Sequence, residues 1–300
     1  MVPRCIILFA MTLSLPAVAV ADFHKIYDNA ADKRITILTL HGDIKLSGYD
    51  GKSIDISAVK KGPDRDRVEI EDASFGNHIH IFPRYLEPER NNATVDFEIR
   101  VPKEIFYNAG PAIEKPSKPQ EKSPDGRTFS PRPKQFPGET PKPPMASIPP
   151  KTPPGALPHT IYLKSNSGQI TISDVAGSIR AETGGRNIEV QNVEGMLYVS
   201  SVSGDIRGLL KQTSRRSVLQ FSSISGNISV QAPDDISAQV RIQSSTGQVK
   251  TDFSLEVRDM RYGPGRSIQG KLGDGNHVLN IRSVSGAINF FKKPPETKSK

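Results

Sequence analysis

From Arg34 to Val101 apolar and polar residues alternate with a period of two. The stretches "RITILTLHGDIKLSG", "SIDISAV", "RVEIED", "HIHIF" and "TVDFEIRVP" set Ile, Val, Leu or Phe at every second position. Alternating β-branched residues punctuated by Gly, Pro, Asn and Asp predict strands with one buried face. No segment keeps a helical period beyond a turn or two, so the predicted class is all-β.

After residue 158 a phrase takes over: "SNSGQITI" (165–172), "SVSGDIRG" (201–208), "SISGNISV" (223–230) and "SVSGAINF" (283–290). With the Gly before each apolar pair as marker, the positions are Gly168, Gly185, Gly204, Gly226, Gly247 and Gly286, spaced 17, 19, 22, 21 and 39 apart. The last gap spans about two periods, and "GKLGDG" (270–275) in its middle reads as a loosened copy. A period near ~20 residues with strand chemistry predicts a solenoid whose coils cannot bury their apolar faces alone. A second, weaker Gly (Gly177, Gly195, Gly275) divides each coil into two short strands joined by tight corners. At the corners Gly supplies positive φ or close backbone approach, and the Ser, Thr and Asn around it bond the local backbone. The predicted inward set is Ile170, Ile172, Ile188, Val190, Leu197, Val199, Ile206, Leu219, Phe221, Ile228, Val230, Val240, Ile242, Leu279, Ile281, Ile288 and Phe290.

Between the two β parts, residues 111–158 hold 15 Pro in 48 residues, with 8 Lys or Arg against 4 Asp or Glu. A segment this poor in apolar residues is expected to be an extended, polyproline-II-rich, disordered insertion acting as a spacer. "KPSKP" within it fits a proline-groove ligand by spacing alone. At the start, Arg4, the apolar run Cys5–Leu15 and Ala19-Val20-Ala21 compose a secretory signal with an A-x-A cleavage site. The expected organisation is signal peptide 1–21, N-terminal β part of the solenoid 22–110, Pro-rich disordered insertion 111–158, repeat solenoid 159–291 and a basic disordered tail 292–300. Cys5 stands at the start of the apolar run rather than after the cleavage point, so it is not placed for a lipid anchor. The mature chain then has no cysteine, hence neither disulfide nor thiol nucleophile.

The recurrent "S-x-S-G-x-I", the "HGDIKLSG" near the start, "VDFEIRVP" and the closing "GKLGDGNHVLNIRSVSGAI" resemble the exported bacterial adhesin family of the DUF4097 type. The resemblance spans about 34–110 and 159–291. It implies a β-solenoid of right-handed β-helix type, an envelope location, and a role in adhesion or envelope stress. It implies no catalytic residue.

Candidate chemistry is sparse. His78 and His80 in "NHIHIF" lie two apart on one strand face, where both rings point the same way. A zinc site needs a third and usually a fourth ligand, and none sits at a telling distance, so the pair reads as solvent-facing with Ile79 and Ile81 buried. Asp43 and Asp205 in "GDI" are the pair a glycosidase would use; their counterparts Gln169, Asn227, Gln248 and Ala287 mark the position as a turn site instead. Tyr85, Tyr198 and Tyr262 look isolated, which weakens a sugar-stacking reading. Arg215 and Arg216, "RDMRYGPGR" (258–266) and the tail "KKPPETKSK" are candidate contacts for phosphate-bearing polymers. "GPGR" and "GDG" precede no helix and are not phosphate loops.

The net charge is +8, or +7 once Arg4 is removed. In an exported protein this balance favours anionic envelope polymers or lipid headgroups over nucleic acid, and the expected partner is an anionic envelope polymer or a protein. The expectation is a non-enzymatic binding or structural module, exported to periplasm, cell surface or medium, with no catalytic, cofactor-binding or metal residue, no cofactor and no transmembrane anchor in the mature chain. The competing expectations are a polysaccharide-acting β-helix enzyme, with acidic and basic groups converging across three coils, and an envelope-stress signalling module.

Overall fold

The computed structural model describes residues 21–28, 30, 33–86, 91–105, 160–211, 216–259 and 263–294. Residues 1–20 of the expected signal peptide and the Pro-rich insertion lie outside these residues, as do Arg215, Tyr262 and the tail beyond 294. The described residues all belong to one compact unit. Among the described residues there is no α-helix, only a 3-10 turn at Arg65–Arg67 and strands.

The first part carries β1 (Phe23–Tyr27), β2 (Arg34–Thr39), β3 (Ile44–Tyr49), β4 (Ile54–Lys61), β5 (Val68–Asp72), β6 (His78–Tyr85) and β7 (Thr94–Pro102). The repeats form β8 (Ile161–Ser165), β9 (Ile170–Ser173), β10 (Ala176–Thr183), β11 (Ile188–Gln191), β12 (Glu194–Ser201), β13 (Ile206–Leu209), β14 (Val218–Ser223) and β15 (Ile228–Ala232). The chain closes with β16 (Ala238–Ser244), β17 (Val249–Thr251), β18 (Val257–Asp259), β19 (Arg266–Leu272), β20 (His277–Ser283) and β21 (Ile288–Lys292). Lys292, assigned to the tail from sequence, therefore ends the last strand.

Each coil contributes one strand to each of two sheets, and successive coils pair parallel and in register. One sheet runs β1-β4-β7-β3-β9-β11-β13-β15-β21-β17, the other β18-β19-β16-β20-β14-β12-β10-β8-β2-β6-β5. Like residues consequently stack on like. Ile44, Ile170, Ile188, Ile206, Ile228, Ile288 and Val249 form one column through the stack. All seventeen residues of the predicted inward set are buried. Burying one such side chain contributes about 2 kcal/mol, so the column supplies the core that a chain lean in apolar residues needs.

Two features depart from the sequence expectation. The first is the order of the coils: β20/β21, last in sequence, lies between β14/β15 and β16/β17. The long gap between Gly247 and Gly286 is thus not a loosened coil. Residues 266–272 pair antiparallel with β16, and β18 pairs antiparallel with β19, closing that end. At the other end β6/β7 packs outside β2/β3, and β4, β5 and β1 add antiparallel strands. Reversing direction blunts three of the four sheet edges that a parallel stack would otherwise offer to further strands, while β17 ends the first sheet as a parallel strand.

The second is one position of the corner column, whose expected close backbone approach is otherwise found. A Cβ on Gly226 would lie 2.5 Å from the carbonyl carbon of Gly204 and closer still to its oxygen. Gly286 meets Gly226, and Gly247 meets Gly286, in the same way. None of these glycines has positive φ, so close approach between coils, not left-handed backbone, demands glycine here. The register pairs Ile188 with Ile170 and Ile206, which puts Arg186, not Gly185, in this column. The tandem Gly184-Gly185 had made the marker ambiguous by one residue.

Candidate functional site

The corner hydroxyls are structural. Thr39, Ser165, Thr183, Ser201, Ser223, Ser283 and Ser244 form a buried ladder. Ser165 Oγ donates to the Gly42 carbonyl at 3.0 Å and accepts from Gly168 N–H at 2.8 Å. An outer ladder repeats this: Ser203, Ser225, Ser285 and Thr246 each donate to a carbonyl of the neighbouring coil at 3.0–3.2 Å. Beside it stand Val202, Ile224 and Val284, each about half exposed on consecutive coils.

The "GDI" carboxylates belong to this bonding. Asp43 Oδ1 accepts from Gln169 N–H at 2.8 Å, and Asp205 Oδ1 accepts from Asn227 N–H at 2.8 Å. Two coils separate Asp43 from Asp205, an interval of about 14 Å at three strand spacings. That exceeds the roughly 5–9.5 Å at which two carboxyls share a glycosidic bond.

A cavity of about 510 Å³ lies at the corner near the β6/β7 end. His41, Gly42 and Asp43 face it with Asn91–Thr94 and Asp96 from the outer coil, and with Ser167–Gln169 and Arg186. Acidic and basic groups do converge here, as a β-helix enzyme would require. The carboxylates and His41 are already engaged, however, while Arg186 has no ion pair or hydrogen bond of its side chain among the described residues. Asp96 Oδ1 accepts from Asp43 N–H at 2.8 Å, its Oδ2 pairs with Lys61 at 2.6 Å, and His41 Nδ1 is 2.8 Å from Ser167 Oγ.

His78 and His80 stack with ring centroids 5.7 Å apart, outside buried Ile79 and Ile81. His78 Nε2 lies 2.8 Å from Thr36 Oγ1. Burial, and then the neighbouring His78, hold the His80 pKa below the usual imidazole range. Among the described residues no group of three His, Cys, Asp or Glu is arranged around a metal position.

The basic segments split. Arg258 is tied to Glu256 at 2.7 Å, Arg266 to Asp259 at 3.0 Å, and Lys292 to Asp234 at 2.5 Å. These pairs compete with any external anion. By contrast Arg241 and Arg282, which the sequence reading missed, have no ion pair or hydrogen bond among the described residues. They project from β16 and β20 beside a shallow depression of about 300 Å³, lined also by Gln220, Gln243 and Asn280.

Both arginines lie on the outward face of the sheet that contains β10. Register places His80, Thr36, Tyr162, Arg180, Tyr198, Gln220, Asn280 and Arg241 side by side on eight adjacent strands. Tyr198 is therefore not isolated, whereas Tyr85 is buried and bonds the His41 carbonyl at 3.2 Å. Tyr162 was overlooked, yet a signal existed: it precedes the corner hydroxyl Ser165 by three residues, as Tyr198 precedes Ser201. The Tyr162 hydroxyl donates to Glu182 at 2.9 Å, and Arg180 neutralises that carboxylate at 2.5 Å. Burial and then the Glu182 bond push the Tyr162 pKa well above the usual phenol range.

Stacked parallel strands in two sheets define a β-solenoid. The family model Toastrack DUF4097 matches residues 158–290, which bears out the resemblance over the repeat part of the chain. A crystal structure of a "putative cell adhesion protein" from Clostridium sporogenes ATCC 15579 is similar over 90% of this chain and 99% of that one, at 12% identity and a TM-score of 0.44. A likeness that remote carries no function across. No curated protein matches. No helix of the described residues is long and apolar enough to cross a membrane.

Proposed function

We propose that the chain is an exported, non-enzymatic envelope module of adhesin type that binds a repeating surface polymer. The observation that carries this reading is the in-register row on the outward face of the β10-containing sheet. Eight strands present one polar, aromatic or basic side chain each, at one spacing, on the outward face of the sheet. Weak contacts repeated at a fixed interval suit a ligand that repeats too, and avidity accumulates without a deep pocket. Export rests on Arg4, the apolar run and Ala19-Val20-Ala21.

The corner cavity is the observation that favours an enzyme, and its chemistry weighs against one. A general acid or base needs a carboxyl free to exchange a proton with substrate, while Asp43 and Asp96 serve backbone N–H groups and Lys61. The test is retention of residues 22–300 on cell-wall and on lipid fractions at low and high salt. Retention on cell wall that weakens with salt supports a polyanionic ligand; retention on neither fraction overturns the binding reading.

A further inference from the structure

Along the outward row the side chains alternate in kind. His80, Tyr162, Tyr198 and Asn280 stand on every second strand, with Thr36, Arg180, Gln220 and Arg241 between them. Successive rings are thus two strand spacings apart, about 9.6 Å. An extended β-1,4-linked glycan turns over at each sugar and presents the same face every second residue, a repeat close to that interval. Aromatic rings are the side chains that pack against the C–H face of a sugar. The Tyr162 hydroxyl is tethered to Glu182, so less ring freedom is lost on binding.

Charge on the face is also placed. Glu182, which would repel an acidic ligand, is neutralised by Arg180. Arg241 in the row and Arg282 in the adjacent row have no ion pair among the described residues. A guanidinium fork matches a carboxylate in a bidentate manner.

We propose that this face binds an acidic β-1,4-linked glycan lying along the solenoid axis, its sugars over Tyr162 and Tyr198 and its carboxylates on Arg241 and Arg282. The proposal rests on the binding reading above and assigns it a face and a ligand class.

The probes are poly-β-1,4-mannuronate, cellohexaose as the same linkage without charge, and dextran sulfate as charge without the linkage. Affinity electrophoresis and calorimetry of residues 22–300 give the readout. Mannuronate is expected to bind best. Tyr162→Ala and Tyr198→Ala each weaken it about three- to tenfold, while Tyr198→Phe keeps the ring and retains binding. Arg241→Gln with Arg282→Gln weakens mannuronate and removes its salt dependence, leaving the weaker cellohexaose binding unchanged. Unaltered circular dichroism and melting verify that each variant is folded. Wild-type affinity in both alanine variants, or dextran sulfate bound as well as mannuronate, overturns the proposal. Cell-wall retention without binding to any of these glycans overturns the proposal but not the reading beneath it; loss of both removes both.

Discussion

Replacing Gly226 with Ala inserts one methyl group where two coils touch. The new Cβ would stand 2.5 Å from the Gly204 carbonyl carbon, against the roughly 3.5 Å at which carbon atoms rest. The coils must part by about 1 Å. The rungs nearest the corner are Asn227 N–H to Asp205 at 2.8 Å, Ile206 N–H to the Asn227 carbonyl at 2.8 Å and Ser225 N–H to the Val202 carbonyl at 3.0 Å. A displacement of that size takes all three beyond hydrogen-bonding range, at about 1 kcal/mol each. Overpacking adds roughly 1–3 kcal/mol, so the expected loss is about 4–6 kcal/mol. Gly185→Ala is the control: its Cβ meets nothing nearer than 3.9 Å and φ is not positive. That variant is expected to be neutral, or more stable by about 0.5 kcal/mol through a less flexible unfolded chain. Urea unfolding followed by circular dichroism compares the two. A Gly226→Ala variant within 1 kcal/mol of wild type, or a Gly185→Ala variant as damaged as Gly226→Ala, would refute the assignment of the close-contact column.

Asp205→Asn keeps an oxygen acceptor for Asn227 N–H and is expected to change stability by less than about 0.5 kcal/mol, whereas Asp205→Ala strands a backbone donor and costs about 1 kcal/mol; equal losses in both would point to a role for the charge itself. Burial pushes the Asp72 carboxyl up, but hydrogen bonds from Lys25, Ser74 and Tyr27 outweigh it and hold the pKa at about 2. Its folded value being depressed, the stabilisation is fully present above the unfolded value near 3.8 and is lost as pH falls through 2. Asp72→Asn is therefore expected to cost about 1 kcal/mol at pH 7 after solvent screening and nothing below pH 2, and a pH-independent difference in melting would contradict this.

The strand class and the core were legible because both follow from local alternation: a period of two decides which side chains of a coil turn inward, whatever coil lies next to it. Coil order was not legible. Every coil shows its neighbours nearly the same pair of inward residues, so Ile228 stacks on Ile288 as readily as on Val249, and only long-range packing chooses. The antiparallel cap was misread for a related reason: "GKLGDG" has repeat chemistry but bends back onto β16. The aromatic row was written in the text at a fixed distance from the corner hydroxyls, three residues before Ser165 and Ser201. The same pair is aligned by the corner glycines, Tyr162 and Tyr198 each standing six residues before Gly168 and Gly204.

Cross-linking tests the stack most directly, because removal of residues 1–21 leaves a chain without cysteine. Gln220 faces Asn280 on adjacent parallel strands, while Arg241 stands one strand further on. Cysteines at 220 and 280 fall within the roughly 4.4–6.8 Å Cα separation of a disulfide, and cysteines at 220 and 241 stand about 9.6 Å apart, outside it. Oxidation is expected to close the 220–280 pair rapidly and leave 220–241 open. The reverse outcome would mean that the coils stack in sequence order, and with that the row of side chains across the outward face would be lost.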